Sequence, residues 1–353
     1  MGGADPRHLA PDPVPRQHAA QSNTGGAVAL IPLATACDLV RASLAAYLPD
    51  PTAKLTALND SGAEQAGFVL RVTPAAGGSL IAKISAEPSR LEAQFRRLTA
   101  THPRMKTGLL RVPEPLFRDA ARGVILMEDG WGQRAETLWR KGGAPALTAM
   151  QAAGRWLARF HTLTAREMPF DPAPHLNWLE RALLAQAEGH RAIPDFAALE
   201  SHLPRLHRLA TEAKDQPAIR CITHRDFHLR NVVIRPNGRI YGLDFENEKL
   251  DDALRDLLFF LTDAAIHSPQ PEVFAAAIGA FHSGYGTPAA SPEVFEFFHL
   301  FHALSAWAAL DESNTPLGPN RLRRLRVLQD LAASEPAALG VTPAQSAFTA
   351  SQI

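Results

Sequence analysis

Residues 224–231 read His224-Arg225-Asp226-Phe227-His228-Leu229-Arg230-Asn231, and thirteen residues after that asparagine comes Asp244 in Leu243-Asp244-Phe245-Glu246. Between them lie Val232-Val233-Ile234-Arg235, the turn residues Pro236-Asn237-Gly238-Arg239, and Ile240-Tyr241-Gly242. Asn-Gly between two such runs is the strongest short-range signal for a β-hairpin. With Asn237 and Gly238 as the two loop residues, 235 faces 240, 233 faces 242, and Asn231 faces Asp244. Directly opposed residues hold their Cβ atoms about 4.5–5.5 Å apart. This register therefore brings an amide oxygen and a carboxylate together at the open end of the hairpin.

That pair suits a hard divalent cation. Mg²⁺ prefers oxygen ligands, keeps several waters, and takes one or two side chains plus substrate phosphates rather than a full protein cage. Asn231 and Asp244 fit this sparse arrangement. Asp226, five residues before Asn231, lies in the loop entering the hairpin, where it is placed to accept a proton without ligating the metal. A lone Asp or Asn beside a turn is ordinarily turn chemistry. The interlocking spacing carries the reading.

The order of parts resembles the catalytic loop and metal hairpin of the protein-kinase-like superfamily: an Asp base, then an Asn and a second Asp on metal, then an aromatic. Here these are Asp226, Asn231, Asp244 and Phe245. His228 two residues after the base, and Glu246 after Asp244-Phe245, resemble the aminoglycoside phosphotransferase and choline kinase family rather than protein kinases. Leu254-Arg255-Asp256-Leu257-Leu258 is similar to a downstream segment of that family, in which the aspartate braces the catalytic loop. The resemblance implies structural roles for Asp256 and His224. One departure is Arg230, where the family commonly has Gly; an Arg there resembles a subset of bacterial sugar kinases.

The implied fold is α+β and bilobal, a protein-kinase-like architecture with a small antiparallel-sheet N-terminal lobe and a larger, mainly helical C-terminal lobe. The implied activity is transfer of the γ-phosphate of ATP to a hydroxyl of a small molecule: an amino alcohol, an aminoglycoside or a sugar. ATP and Mg²⁺ are the implied cofactors. The competing reading is a nucleotide-binding pseudokinase or regulatory protein that no longer transfers phosphate. Protein phosphorylation fits less well, because helix-forming sequence begins within about ten residues of Asp244 and no Ala-Pro-Glu-type segment follows it.

Upstream, residues 52–59 and 68–73 read as strands around a poor glycine loop, Asp60 to Gly67. Leu80-Ile81-Ala82-Lys83-Ile84 is a buried strand with one lysine, which the resemblance assigns to the α and β phosphates. Ser89 is a candidate cap for a helix with Leu91, Phe95 and Leu98 on one face, and Glu92 in its first turn suits the helix dipole. The expected ion pair is Lys83 with Glu92. Gly123 to Gly130 reads as a buried strand ending in acid and glycine, similar to the family's hinge. There the backbone of Glu128 and Asp129 would meet the adenine edge; Met127 is a gatekeeping residue or an ordinary core methionine. A long helix from about Leu147 to Leu163 ends in Ala158-Arg159-Phe160-His161, with His161 structural.

Glu246, Glu248, Asp251 and Asp252 form an acidic stretch, either a solvated loop or a rim that attracts an amine-bearing substrate. Glu246 and His228 are its nearest candidates for contact with the acceptor. At 353 residues and 46% hydrophobic, the chain can bury a core large enough for two lobes. The expected division is a disordered tail over 1–28, a nucleotide lobe over 29–128, a catalytic and substrate lobe over 129–334, and a flexible tail over 335–353. The formal charge is zero, so no basic excess argues for nucleic acid, and no apolar run of spanning length argues for a membrane. Cys37 and Cys221 make no disulfide framework, consistent with a reducing cytoplasm.

Overall fold

Alternation along Gly67–Thr73 turns Phe68, Leu70 and Val72 to one face of a sheet, where they are buried. The computed structural model describes residues 30–58, 64–268, 271–286, 290–313 and 315–334. The expected tails, residue 59 at the end of the expected strand 52–59, and residues 60–63 of the glycine loop lie outside these residues. The sheet is antiparallel, in the order Lys54–Ala57, Gly67–Thr73, Leu80–Ser85, Val124–Glu128, Pro115–Asp119. One face packs on the helix Leu33–Tyr47 through Ala36, Val40 and Leu44. The other carries Ile81 and Lys83, paired in register with Met127 and Ile125. The helix Pro88–Met105 covers that face.

This helix begins differently from the sequence expectation. Pro88 occupies its first turn, Glu87 is the cap position, and Ser89 makes no capping hydrogen bond. Proline suits that place, because its missing N–H would have no intrahelical acceptor there.

The second lobe is built from helices, of which Gly143–Thr162 is the axis. It starts four residues before the expected Leu147. It crosses the helix Pro271–Tyr285 at close range, and only glycine fits at the crossing. A Cβ on Gly154 would stand 2.3 Å from the Phe281 carbonyl oxygen, and one on Gly284 2.2 Å from that of Gln151. Leu254–Ile266, Pro292–Ala308 and Pro319–Ala333 complete the bundle. Cys221 is fully buried in the strand Pro217–Ile222. Among the described residues no helix is long and apolar enough to cross a membrane.

The hairpin forms, with a register one residue away from the expected one. Val232–Ile234 pairs with Ile240–Gly242 as Val232 with Gly242, Val233 with Tyr241 and Ile234 with Ile240. Gly238 N–H donates to the Arg235 carbonyl at 2.9 Å, Arg235 N–H donates to the Arg239 carbonyl at 2.8 Å, and Gly238 has φ +78°. The loop is therefore the three residues Pro236, Asn237 and Gly238, a tight turn followed by a left-handed glycine. Asn231 consequently faces Leu243, whose N–H donates to the Asn231 carbonyl at 2.8 Å. Asp244 stands one residue further out.

Candidate active site

The floor of the site is aromatic. Trp156, from the axial helix, stacks on Phe227 at 5.5 Å and on Phe160 at 4.9 Å, and its indole N–H donates to the Arg111 carbonyl at 2.7 Å. Gly242 of the hairpin presses onto the same indole: a Cβ there would fall 2.1 Å from Trp156 Cζ2. Phe227 and Phe245 are buried against this platform and fix both the loop and the far end of the hairpin.

On that floor the loop 224–231 is clamped by one carboxylate. Asp256 Oδ2 accepts from His224 N–H at 2.5 Å and lies 3.0 Å from His161 Nε2, while Oδ1 accepts from Arg225 N–H at 2.7 Å. Burial pushes this carboxyl up, but the hydrogen bonds from His161 and from the His224 backbone outweigh it and hold it below the usual carboxylate range. The clamp acts where the backbone is unfavourable, since Arg225 has φ +66°. His224 Nε2 meets the Leu243 carbonyl at 2.8 Å, and its Nδ1 faces the Asp226 N–H at 3.4 Å. A neutral ring protonated at Nε2 satisfies both contacts. Burial pushes the His224 pKa down, in agreement with that form. His224, His161 and Asp256 thus anchor the loop 224–231 to its surroundings.

Asp226 sits half-buried at the end of this scaffold. Asn231 Nδ2 donates to the Asp226 carbonyl at 2.9 Å and approaches its Oδ2 at 3.4 Å. His228 Nε2 lies 3.6 Å from Asp226 Oδ1. With its amide nitrogen engaged, Asn231 turns its oxygen to the other side. Asp244 takes a left-handed backbone, φ +65°, and meets Lys83 Nζ in an ion pair across the cleft. The amide of Gln94 donates to the same Asp244 oxygen at 3.1 Å.

The expected Lys83–Glu92 pair does not form. Glu92 pairs instead with Arg118, and the residue of that helix next to Lys83 is Gln94, with Lys83 Nζ 3.4 Å from its Oε1. Two residues on a helix point about 200° apart. Gln94 is therefore buried toward the site while Glu92 faces the outer edge of the sheet. An amide carries no charge to mark it in a sequence, so Gln94 had no signal there.

At the hinge, part of the backbone of Glu128 and Asp129 is engaged within the protein. The Glu128 N–H donates to the Glu114 carbonyl at 2.9 Å, and the Asp129 carbonyl accepts from Arg235 at 2.7 Å. Their side chains are structural too: Asp129 accepts from Arg71 Nε and Ser79 Oγ, while Glu128 accepts from Arg235 and from the Tyr241 hydroxyl. Arg235, given no site role in the sequence reading, stacks over Tyr241 at 4.4 Å and joins hinge to hairpin. Met127 is buried in the core.

The acidic stretch is not a free negative rim. Glu246 pairs with Arg90 at 3.3 Å, Glu248 with Arg96 at 2.7 Å, and Asp251 with both Arg225 and Arg255 at 3.1 Å. Asp252 lies 3.2 Å from His175. A rim so neutralised gives little electrostatic attraction for an amine.

Do these residues fit a metal? Among the described residues no three His, Cys, Asp or Glu side chains converge as a cage. An Asp and an Asn oxygen on adjoining positions of one hairpin mouth match what Mg²⁺ needs when phosphates supply further ligands.

The model of the phosphotransferase enzyme family matches residues 56–293. No curated protein sequence matches the chain. Several solved structures share the fold. A spectinomycin phosphotransferase in complex with ADP and spectinomycin superposes with TM-score 0.53 at 14% identity, over 86% of this chain and 96% of that one. A choline kinase from Streptococcus pneumoniae gives 0.52 at 14%, over 84% and 99%. A microcompartment-associated aminopropanol kinase gives 0.51 at 18%, over 84% and 95%.

Proposed function

The chain belongs to the phosphotransferase enzyme family, and from that premise we propose that it moves the γ-phosphate of ATP to a hydroxyl group of a small molecule, with Asp226 as the base. The observation that supports this reading is the meeting of Asp226 and Asn231 at the hairpin mouth, above a loop clamped by Asp256, with Asp244 of the same hairpin paired to Lys83 across the cleft. Relatives of the same fold carry names that denote action on spectinomycin, choline and aminopropanol, which supports a small hydroxyl-bearing acceptor.

Phosphoryl transfer depends mostly on positioning and charge neutralisation. Asp226 accepts the proton of the acceptor hydroxyl, and the Asn231 amide fixes the loop on which it rides. Lys83 supplies positive charge to the phosphates, with Gln94 holding it and Asp244 in line. Asn231 and Asp244 would hold Mg²⁺, which draws charge from the phosphate oxygens as it transfers. Glu92 has no part in this, being held by Arg118. His228 lies beside the base and is placed to contact the acceptor. Glu246 lines the cavity beside Asp244 but is tied to Arg90, so its role is to orient the helix Pro88–Met105.

Two measurements in sequence test the reading. ATP should raise the melting temperature in the presence of Mg²⁺ and much less in its absence, because a ligand of the native state stabilises it by mass action. A screen of amino alcohols, aminoglycosides and sugars should then give acceptor-dependent ADP release. Stabilisation by ATP with no acceptor-dependent release from any class would identify a nucleotide-binding protein without transfer.

A further inference from the structure

A cavity of about 1190 Å³ runs beside the catalytic loop, lined by Arg225 and Asp244 and reaching the helices Pro292–Ala308 and Pro319–Ala333. Its apolar wall includes Trp178, Phe259, Phe298 and Phe301. Nine Lys or Arg and seven Asp or Glu line it, yet most of the acids are already matched. Glu246, Glu248, Asp251 and Asp252 each face a basic partner, Asp244 meets Lys83, and Asp171 accepts the Ala173 N–H.

The bases are not matched in the same way. Arg321 and Arg324 stand one turn apart on Pro319–Ala333, and neither makes a salt bridge with a carboxylate among the described residues; Asp263, whose charge acts on Arg324, is paired with His267 at 3.3 Å. Arg321 Nη2 donates to the Asp311 carbonyl at 2.8 Å, but its Nε and the Nε of Arg324 are buried without an acceptor. His302, beside them, keeps its Nε2 on the Thr262 hydroxyl at 3.0 Å and supplies no negative charge. Two half-buried guanidinium groups with idle donors, next to an aromatic wall, complement an anion and repel an amine.

Resting on the phosphotransferase reading above, we infer that the acceptor carries an anionic group, a carboxylate or a phosphate, received by Arg321 and Arg324 at this part of the cavity. The acceptor is then a hydroxylated acid whose body lies on the aromatic wall. This deepens the reading by giving the acceptor a charge opposite to that of an amino alcohol.

The test uses probes matched in ring and differing in charge: glucose, glucosamine, glucuronate and glucose 6-phosphate. In calorimetric titrations of the full chain without nucleotide, at least one anion should bind at least about tenfold tighter than glucose, with glucosamine weakest. Glucuronate ahead of glucose 6-phosphate marks a carboxylate site, and the reverse order a phosphate site. Arg324→Leu should abolish the preference, and Arg324→Lys should recover part of it, as a charge-reading site does. Absence of a tenfold anion preference in the wild type, or its survival in Arg324→Leu, overturns the inference. ADP release is read separately. Turnover confined to neutral or amine acceptors overturns the anion site and leaves the enzyme standing, whereas anion preference with no turnover on any acceptor class leaves the site and overturns the enzyme.

Discussion

Asp256 is a carboxylate at the head of an apolar run that finds its partners in two other elements, the catalytic loop and His161. Its position was legible in the sequence for that reason: an acid followed by Leu257 and Leu258 must be buried, and a buried acid must be paired. Asp256→Ala strands two backbone donors and a histidine, so it is expected to cost about 3–5 kcal/mol in denaturant unfolding. A loss below about 1 kcal/mol would show that the clamp is not stabilising the loop. The companion residue Gln94 was not legible, because an acidic neighbour two positions away offered the more obvious partner for Lys83. A neutral amide reaches Lys83 and Asp244 without adding a third charge.

At the scale of elements, the helix Pro88–Met105 couples one lobe to the other. Arg90 holds Glu246, Gln94 holds Asp244 and Arg96 holds Glu248. Rotation of that helix would therefore move Asp244, the proposed metal ligand. Two substitutions separate the faces. Glu92→Ala removes a partly exposed pair with Arg118 and should cost no more than about 1 kcal/mol, with KM for ATP unchanged. Gln94→Ala should raise KM for ATP about two- to tenfold, from the loss of one or two hydrogen bonds that align Lys83 and Asp244. The reverse ranking in steady-state kinetics would restore Glu92 to the site. Both helix and hairpin were readable as elements, but not in detail. The one-residue slip arose because Asn-Gly fits a two-residue turn, while Pro236 starts a three-residue loop closed by Gly238 in the left-handed region. A side chain's face depends on such offsets.

Across the whole molecule, burial of neutral histidines sets the response to acid. Burial pushes His224 down, His299 down to about 4 and His302 down to about 3. An unfolded histidine titrates near about 6.5. The folded values lie lower, so below that pH the unfolded chain binds more protons than the native one. Stability is then fully present above about 6.5 and falls as pH drops toward the folded values, by up to about 1.4 kcal/mol per pH unit for each histidine. Denaturant unfolding from pH about 7.5 to about 4.5 should show this decline, and a flat profile would contradict it. His299→Leu should reduce the slope, since both ring nitrogens of His299 are buried without partners. The two-lobed architecture was readable from motif order, because strand and helix patterns fall on either side of Gly130. The charge of the acceptor cavity was not. It is assembled from helices far apart in the chain, and the acidic stretch that seemed to define it is paired with arginines.

The central claim is that Asp226 is the base of a phosphotransferase, and Asp226→Asn tests it most directly when turnover and ATP binding are measured on the same preparation. The amide keeps the size of the side chain while removing its ability to take a proton. Turnover with the best acceptor is expected to fall by about 10²–10⁴-fold while Mg²⁺-dependent ATP affinity changes little. Turnover equal to that of the wild type, or ATP binding lost in parallel with activity, would contradict the assignment.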